Sequence, residues 1–287
     1  MRWQNQRRSD NLEDRRGSRM SGPVKGGGIG LLLLALVGMY FGIDPSIIMN
    51  IGGALQQSGQ STTESGPVQE SAQEKQLREF VAVVLADTED NWHTIFQANG
   101  KRYQEPKLVL FRDAVQSACG FAQAAMGPFY CPADQRVYID LSFYEDLKNK
   151  LNAPGDFAQA YVIAHEVGHH VQNLLGITDQ MQAMRQRVSR AEYNQLSVRL
   201  ELQADCFAGI WAHNADRTKN LVEPGDIDEA LNAASQIGDD RMQKRQRGYI
   251  TPDSFTHGTS AQRVRWFRRG YEKGSPESCD TFNTPNI

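Results

Sequence analysis

The chain has 287 residues, which is enough to bury a sizeable core and predicts one main domain with appendages. Charged residues make up 23% of the chain and the formal net charge is −3. This balance excludes the strongly basic character of a nucleic-acid-binding protein and the composition of a largely disordered one.

The N-terminal region joins a basic segment to an apolar one. Residues 29–41 read IGLLLLALVGMYF, and no charge occurs between Lys25 and Asp44. This uncharged length is at the short end of what crosses a bilayer as one helix. We therefore predict a transmembrane helix at 26–44, preceded by a disordered basic tail at 1–25 on the cytoplasmic side.

Three alternatives to this anchor fit the sequence less well. A buried core helix would need folded neighbours, and both flanks have the composition of unfolded segments. A cleaved signal peptide would have a shorter basic leader and a small-residue cleavage motif after Phe41. An interfacial helix would have a polar face. The prediction is a single-pass protein of the inner membrane whose C-terminal domain faces the periplasm.

A flexible linker is predicted at 45–76, most of which is rich in Gln, Ser, Thr and Gly. The folded domain is then expected at 77–287, and its first helix begins near Leu77. Strands are predicted at 107–111 and, from the alternation of apolar and polar residues, at 136–143. Further helices are predicted at 144–151, 156–175, 179–215, 226–245 and 260–272. The expected fold class is α+β, mostly helical, with a small β-sheet.

All four cysteines follow the apolar stretch. An even number of cysteines in an exported segment suggests two disulfides. Pairing those nearest in sequence gives Cys119–Cys131 and Cys206–Cys279. A structural zinc site made of four thiolates is the alternative, although the chain has no C-x-x-C pair to start one.

The strongest chemical signal is the motif HEVGH at 165–169. Four residues on a helix amount to one turn plus about 40°, so His165 and His169 project from the same side. Both lie at the edge of the helix's apolar stripe, facing a partly buried cavity. Glu166 lies further round, which suits a base that activates water. The motif predicts a zinc site (Zn2+) with both histidines as ligands; a surface-facing histidine pair is the alternative.

Catalytic zinc takes a third protein ligand, and the segment ELQAD at 201–205 can supply it. Glu201 is the expected ligand. Asp205, one turn later, is expected to accept a hydrogen bond from a ligating histidine and so fix its tautomer. His170 projects about 100° away from His169 and is not expected to join the site. An ordinary acid pair on a helix surface is the alternative, but apolar and small residues surround these two.

The segments HEVGHH and ELQADCFAG resemble the gluzincins, the thermolysin-like zinc peptidases with a glutamate third ligand. More closely, 77–272 resembles a bacterial family called putative neutral zinc metallopeptidases, through ACG at 118–120, GPFYCPAD at 127–134 and VYIDLSF at 137–143. The resemblance implies a zincin-like, membrane-anchored peptidase that acts on a protein or peptide substrate. Such peptidases align an extended substrate along an edge strand. We expect 136–143 to be that strand and 127–134 to form its rim.

The segment FTHGTS at 255–260 resembles the histidine-containing segment before the last helix of membrane-embedded zinc peptidases. This resemblance implies that His257 donates a hydrogen bond to the developing oxyanion. Gly258 and Gln262 depart from that pattern, and a structural histidine is the alternative. The basic cluster of the last helix indicates a solvated face, not a nucleic-acid site. Its members are Arg263, Arg265, Arg268 and Arg269.

The predicted activity is hydrolysis of peptide bonds in exported or membrane-proximal proteins. One alternative is a non-catalytic zinc-binding scaffold of the cell envelope, and another is a zinc hydrolase of a different bond, such as a cell-wall amide. Glu166 favours catalysis, because a scaffold has no need of a base beside two metal ligands.

Overall fold

The computed structural model of the protein describes residues 1–17, 68–285 and 287. Within them, Met1–Arg15 and Glu70–Ile287 form one compact unit. The transmembrane helix predicted at 26–44 lies outside the described residues. Among the residues that are described, no helix has both the length and the apolar character needed to cross a bilayer.

Two small sheets accompany the helices. The strands are β1 (Leu12–Asp14), β2 (Lys107–Phe111), β3 (Ala114–Ser117), β4 (Gly120–Gln123), β5 (Phe129–Cys131) and β6 (Arg136–Asp140). The main sheet has the order β1-β2-β6-β5, and β3 and β4 form a separate hairpin. β2 pairs in parallel with both β1 and β6, whereas β5 pairs antiparallel with β6.

Helices make up most of the unit, so the α+β, mostly helical class is confirmed. They are α1 (Ala72–Ala98), α2 (Ser142–Asn149), α3 (Asp156–Leu174), α4 (Ile177–Met184), α5 (Arg190–Lys219), α6 (Asp226–Gln236), α7 (Asp239–Arg247) and α8 (Ser260–Lys273). Three of them, α1, α5 and α8, begin at a capping box. In this motif a Ser or Thr side chain and the side chain three residues later satisfy each other's backbone N–H groups.

Several predicted boundaries differ from the structure, each for a local reason. The helix predicted at 179–215 is divided into α4 and α5, because Ser189 caps the start of α5. The helix predicted at 226–245 is interrupted at Gly238, where a Cβ would lie 2.4 Å from the backbone nitrogen of Ser260. The strand predicted at 136–143 ends at Asp140, whose carboxylate accepts the N–H of Ser142 at 2.9 Å.

The N-terminal residues occupy a different place from the one predicted. Over the described part of 1–25 there is no disordered tail, because β1 pairs with β2 and Trp3 packs edge-on against Phe80 at 5.4 Å between ring centroids. Composition alone does not predict this strand pairing, since a few apolar residues are scattered among arginines and the partner strand lies far along the chain. The linker predicted to extend to residue 76 also ends earlier, as Ser71 caps α1.

The core centres on α3, which contacts α1, α5 and α6 and also touches β5 and β6. Its Phe157 stacks on Trp211 of α5, and both side chains are fully buried. Burying a large apolar side chain of this kind contributes roughly 1.5–3 kcal/mol. Helices α5 and α8 cross at two glycines: a Cβ at Gly209 would lie 2.1 Å from the carbonyl oxygen of Phe267, and one at Gly270 would lie 2.0 Å from that of Cys206. This close crossing brings α8 against the site described below.

The predicted disulfide pairing is confirmed. Cys119 bonds to Cys131 and links the β3–β4 hairpin to β5, with Cα atoms 5.8 Å apart. Cys206 bonds to Cys279 and links α5 to the C-terminal residues, with Cα atoms 5.6 Å apart. No cysteine remains free among the described residues, which hold all four.

Candidate metal centre

Helices α3 and α5 bring the three predicted ligands together. They approach closely at Gly168, where a Cβ would lie 3.1 Å from the carbonyl oxygen of Ala204. The Glu201 carboxylate then lies 3.2 Å from Nε2 of His165 and 3.5 Å from Nε2 of His169. One ligand atom from each of the three residues lies within 4.8 Å of the others. A glycine between the two histidines is therefore what lets the second helix place its glutamate beside them.

The hydrogen bonds behind the histidines orient both rings. Nδ1 of His165 lies 2.9 Å from Asp205 Oδ1, as predicted, and Nδ1 of His169 lies 2.9 Å from Gln172 Oε1. A carboxylate or amide oxygen can only accept, so each Nδ1 carries a proton, and Nε2 is the nitrogen that becomes free to bind a metal when the ring is neutral. Gln172 donates its own amide to the carbonyl of Leu200 at 2.7 Å, which turns its oxygen towards His169. Sequence reasoning missed Gln172, although its i+3 spacing from His169 was visible.

Asp205 is the centre of a buried polar network. It is fully buried, and its two oxygens accept from Nε and Nη2 of Arg263, each at 2.9 Å. Tyr161 also donates its hydroxyl to Asp205, at 2.5 Å. Such a bidentate guanidinium bond is strong and strictly directional, so it holds the carboxylate in line with His165.

The prediction for Arg263 is therefore wrong. Its side chain is only 3% exposed and faces the metal centre instead of solvent. The reason is helical spacing: Arg263 precedes Phe267 by one turn, and Phe267 is fully buried in the core. Arg265, Arg268 and Arg269 are exposed, as predicted.

The ionisable groups of the cluster are strongly coupled. Burial lowers the pKa of His165, but the charges of Asp205 and the bond to Glu201 outweigh it and raise this pKa to about 9. For His169 burial likewise lowers the pKa, and the Glu201 carboxylate more than offsets it. Burial raises the pKa of Glu201, while the neighbouring imidazoles of His169 and His257 hold it well below its usual range. Without a metal, protons thus occupy the place that a cation would take.

The cluster opens onto a cleft of about 780 Å³, which Glu166 also lines. Glu166 follows His165 on α3 and is 9% exposed. His257, in the turn before α8, lines the same cleft. Its backbone N–H donates to Asp239 at 2.6 Å, and its ring nitrogen Nδ1 lies 3.3 Å from the same carboxylate. The Glu201 charge raises the pKa of His257, and Asp239 adds to this effect. Glu166 and His257 thus share one cleft with the predicted ligand cluster.

The edge strand beside the cleft is β5, not the strand predicted at 136–143. β6 lies between β2 and β5 in the sheet, so its neighbours occupy both sides. Gly127–Tyr130 line the cleft, whereas none of the residues of β6 does. Alternation along the sequence revealed a half-buried strand but carried no information on its place in the sheet. The strand at 136–143 is therefore not the edge strand beside the cleft; the rim segment 127–134, which contains β5, occupies that place.

Both ring nitrogens of His170 bond outside the predicted ligand cluster, and the ring ties β5 to α3. Its Nε2 lies 2.6 Å from the carbonyl oxygen of Gln104 and therefore donates. Its Nδ1 then accepts from the Tyr130 hydroxyl at 2.9 Å. Burial lowers the pKa of His170 to about 4, so the ring is neutral near pH 7. The ring thus fixes the edge strand relative to the helix that carries the ligand histidines.

Zinc-dependent hydrolases hold their metal with the same arrangement: two histidines one helical turn apart, a glutamate next to the first and a second glutamate from a neighbouring helix. The family model described as "Putative neutral zinc metallopeptidase" matches residues 1–282. The chain belongs to this family.

Two relatives show the extent of the similarity. The chain is 52% identical over 292 aligned residues to "Uncharacterized protein YpfJ" of Escherichia coli (strain K12), covering 98% of this chain and 99% of that protein. It is 38% identical over 263 residues to "Uncharacterized protein Rv2575" of Mycobacterium tuberculosis (strain ATCC 25618 / H37Rv), covering 87% and 86%. No solved structure matches the chain.

Proposed function

We propose that the protein is a zinc-dependent endopeptidase in which His165, His169 and Glu201 hold the metal and Glu166 is the general base. One observation carries the proposal: both Nε2 atoms and the Glu201 carboxylate converge at a cleft that Glu166 also lines. Two imidazole nitrogens and one carboxylate oxygen are a donor set that suits zinc and leaves a coordination position open. The donors present therefore fit this metal.

Bound zinc would supply Lewis-acid polarisation of the scissile carbonyl and lower the pKa of a water molecule. The chain supplies the proton transfers. Glu166 accepts a proton from the attacking water and returns it to the leaving amine. His257, which lines the same cleft, is the residue proposed to donate a hydrogen bond to the developing oxyanion. Asp205 and Gln172 keep both ligand rings in the tautomer that presents Nε2.

The substrate proposed for this site is an extended polypeptide. β5 is an edge strand on the cleft, and a peptide can add to such an edge through backbone hydrogen bonds. The disulfide at Cys131 and the bond from Tyr130 to His170 both brace this strand. Met126, Phe129 and Phe143 line the same cleft and offer apolar contacts to substrate side chains.

The cellular location is also a proposal. The apolar stretch within 26–44 supports attachment to the inner membrane. Disulfide bonding of all four cysteines supports an oxidising compartment, such as the periplasm, for the folded unit. A zincin-like fold for this unit is supported by the helix pair that carries the ligands.

The test compares the full-length chain with Glu166→Gln and with the matched control Glu272→Gln, which changes an exposed glutamate on α8. Metal content is measured by mass spectrometry, and cleavage is followed on casein and on a peptide library. We expect equal zinc in all three proteins. Cleavage should fall by about 10²–10⁴-fold in Glu166→Gln only. Zinc binding with no cleavage that depends on Glu166 would support a scaffold instead.

A further inference from the structure

The first fifteen residues are built into the unit that carries the metal centre. β1 pairs in parallel with β2, from Leu12 opposite Leu108 to Asp14 opposite Leu110. The backbone N–H of Leu108 donates to Asn11 at 3.0 Å, and that of Arg15 donates to Leu110 at 2.8 Å. β1 therefore covers an edge of β2 that would otherwise carry unpaired backbone groups.

A buried carboxylate on α1 takes its hydrogen bonds from this N-terminal segment. Glu89 is 1% exposed. Its oxygens accept from Arg7 at 2.9 Å, from Asn11 at 3.0 Å and from the hydroxyl of Ser9. Arg7 also donates to the carbonyl of Ala86 at 2.8 Å. A buried carboxylate is strongly destabilising when its partners are removed. Loss of the N-terminal segment would therefore lower the stability of the folded domain.

The amino group of Met1 adds a third attachment at the start of the metal-binding helix. It lies 2.9 Å from Asp156, the first residue of α3, and 3.2 Å and 3.3 Å from Glu223 and Asp226. Asp156, Asp226 and Glu229 place their carboxylate oxygens within 4.8 Å of one another. The ammonium group is the counter-charge of this acidic cluster.

We infer that residues 1–15 and the metal centre lie on the same side of any membrane that the chain enters. Along the chain, residues 16–69 connect the two parts of this unit. A chain that leaves and rejoins one folded unit crosses a bilayer an even number of times. A single crossing of the bilayer between these two parts of the unit is incompatible with that placement.

The arginines of this segment fit the inference. Arginines in a free tail favour the cytoplasmic side. Here Arg7 pairs with Glu89 and Asp90, and Arg8 pairs with Glu79. Because these arginines are paired with carboxylates of the folded domain, their charges alone do not determine on which side of the membrane the N-terminal segment lies. The match of the family model from residue 1 agrees with a domain that includes this segment.

The test labels single added cysteines in intact cells with a membrane-impermeant maleimide. Gln4→Cys reports on the N-terminal segment and Lys244→Cys on the domain, since both positions are exposed, and the parent chain is the control. We expect both variants to react alike, either in intact cells or only after permeabilisation. Reaction of one in intact cells and of the other only after permeabilisation overturns the inference.

A second measurement tests the attachment itself, independently of any substitution in the strand. A site for a specific protease is inserted at Gly59, in the polar stretch of the linker, and membranes of cells that express the full chain are cleaved. We expect the domain fragment to stay with the membrane fraction through β1. It should be released when Arg7→Ala is also present, whereas the control Arg102→Ala, at an exposed arginine, should leave it bound. Release of the unsubstituted domain on cleavage overturns the inference.

Discussion

Replacing Arg263 tests whether the network behind His165 controls the metal centre. Arg263→Met keeps an unbranched apolar stem but removes four hydrogen bonds: two to Asp205, one to the Tyr161 hydroxyl at 3.2 Å and one to the Ile237 carbonyl at 3.3 Å. Oδ1 of Asp205 keeps Tyr161 and His165 as partners, whereas Oδ2 loses its bond to the guanidinium. Breaking one side of a buried ion pair costs about 3–5 kcal/mol, and we expect that loss in the free energy of unfolding.

Zinc affinity should fall in the same variant. A displaced Asp205 no longer fixes the Nδ1–H of His165, and loss of such a partner lowers metal affinity about 10–100-fold. Arg263→Lys should recover only part of it, because an ammonium group cannot form the two parallel bonds. Arg268→Met, at an exposed position of the same helix, is the matched control, with an expected change within about 0.5 kcal/mol. Zinc affinity is measured by competition with a chelating dye and stability by urea denaturation. Equal zinc affinity in Arg263→Met and Arg268→Met would refute the positioning role.

Three further predictions follow from the site. Zinc affinity should rise with pH up to about 9, because the pKa of His165 is raised to about 9 and its proton competes with the metal. The rise should be about tenfold per pH unit for each proton released, and calorimetry in buffers of different ionisation enthalpy counts these protons. A pH-independent affinity would contradict this prediction. The same raised pKa stabilises the metal-free fold below about pH 6.5, and this contribution is lost as the pH rises through about 9, which acid–base unfolding curves can show. Gly168→Val should weaken zinc binding more than Gly168→Ala, since even a Cβ there lies 3.1 Å from the Ala204 carbonyl oxygen; equal affinities would show that the helix approach does not position Glu201.

The parts of the site that could be predicted from the sequence are residues close together in the chain, whose spacing on one helix fixes the face they share. His165 and His169 share a helix face because four residues make about one turn, and Glu201 and Asp205 share another for the same reason. The pairing of these two faces was inferred from chemistry, since buried carboxylates need partners. The structure brings the two faces together at Gly168, a contact point that the spacing of the ligands does not predict.

The parts that the sequence did not predict depend on contacts between distant segments. Arg263 lies in a run of arginines, and only the crossing of α5 and α8 at Gly209 and Gly270 turns it towards Asp205. β5 has three residues and no distinctive alternation, so its edge position follows from pairing with β6. β1 is equally short, and its partner lies beyond the whole of α1. Short strands of this kind carry little local signal, because their stability comes from the neighbour that they pair with.

The most direct test of the central claim is anomalous diffraction at the zinc edge from crystals of the full-length protein. We expect one strong peak between Nε2 of His165, Nε2 of His169 and the Glu201 carboxylate, at bond lengths of about 2.0–2.2 Å. Asp205 and Gln172 should stay bonded to the two Nδ1 atoms. A peak held by other side chains, or none at this cluster in a protein that contains stoichiometric zinc, would contradict it.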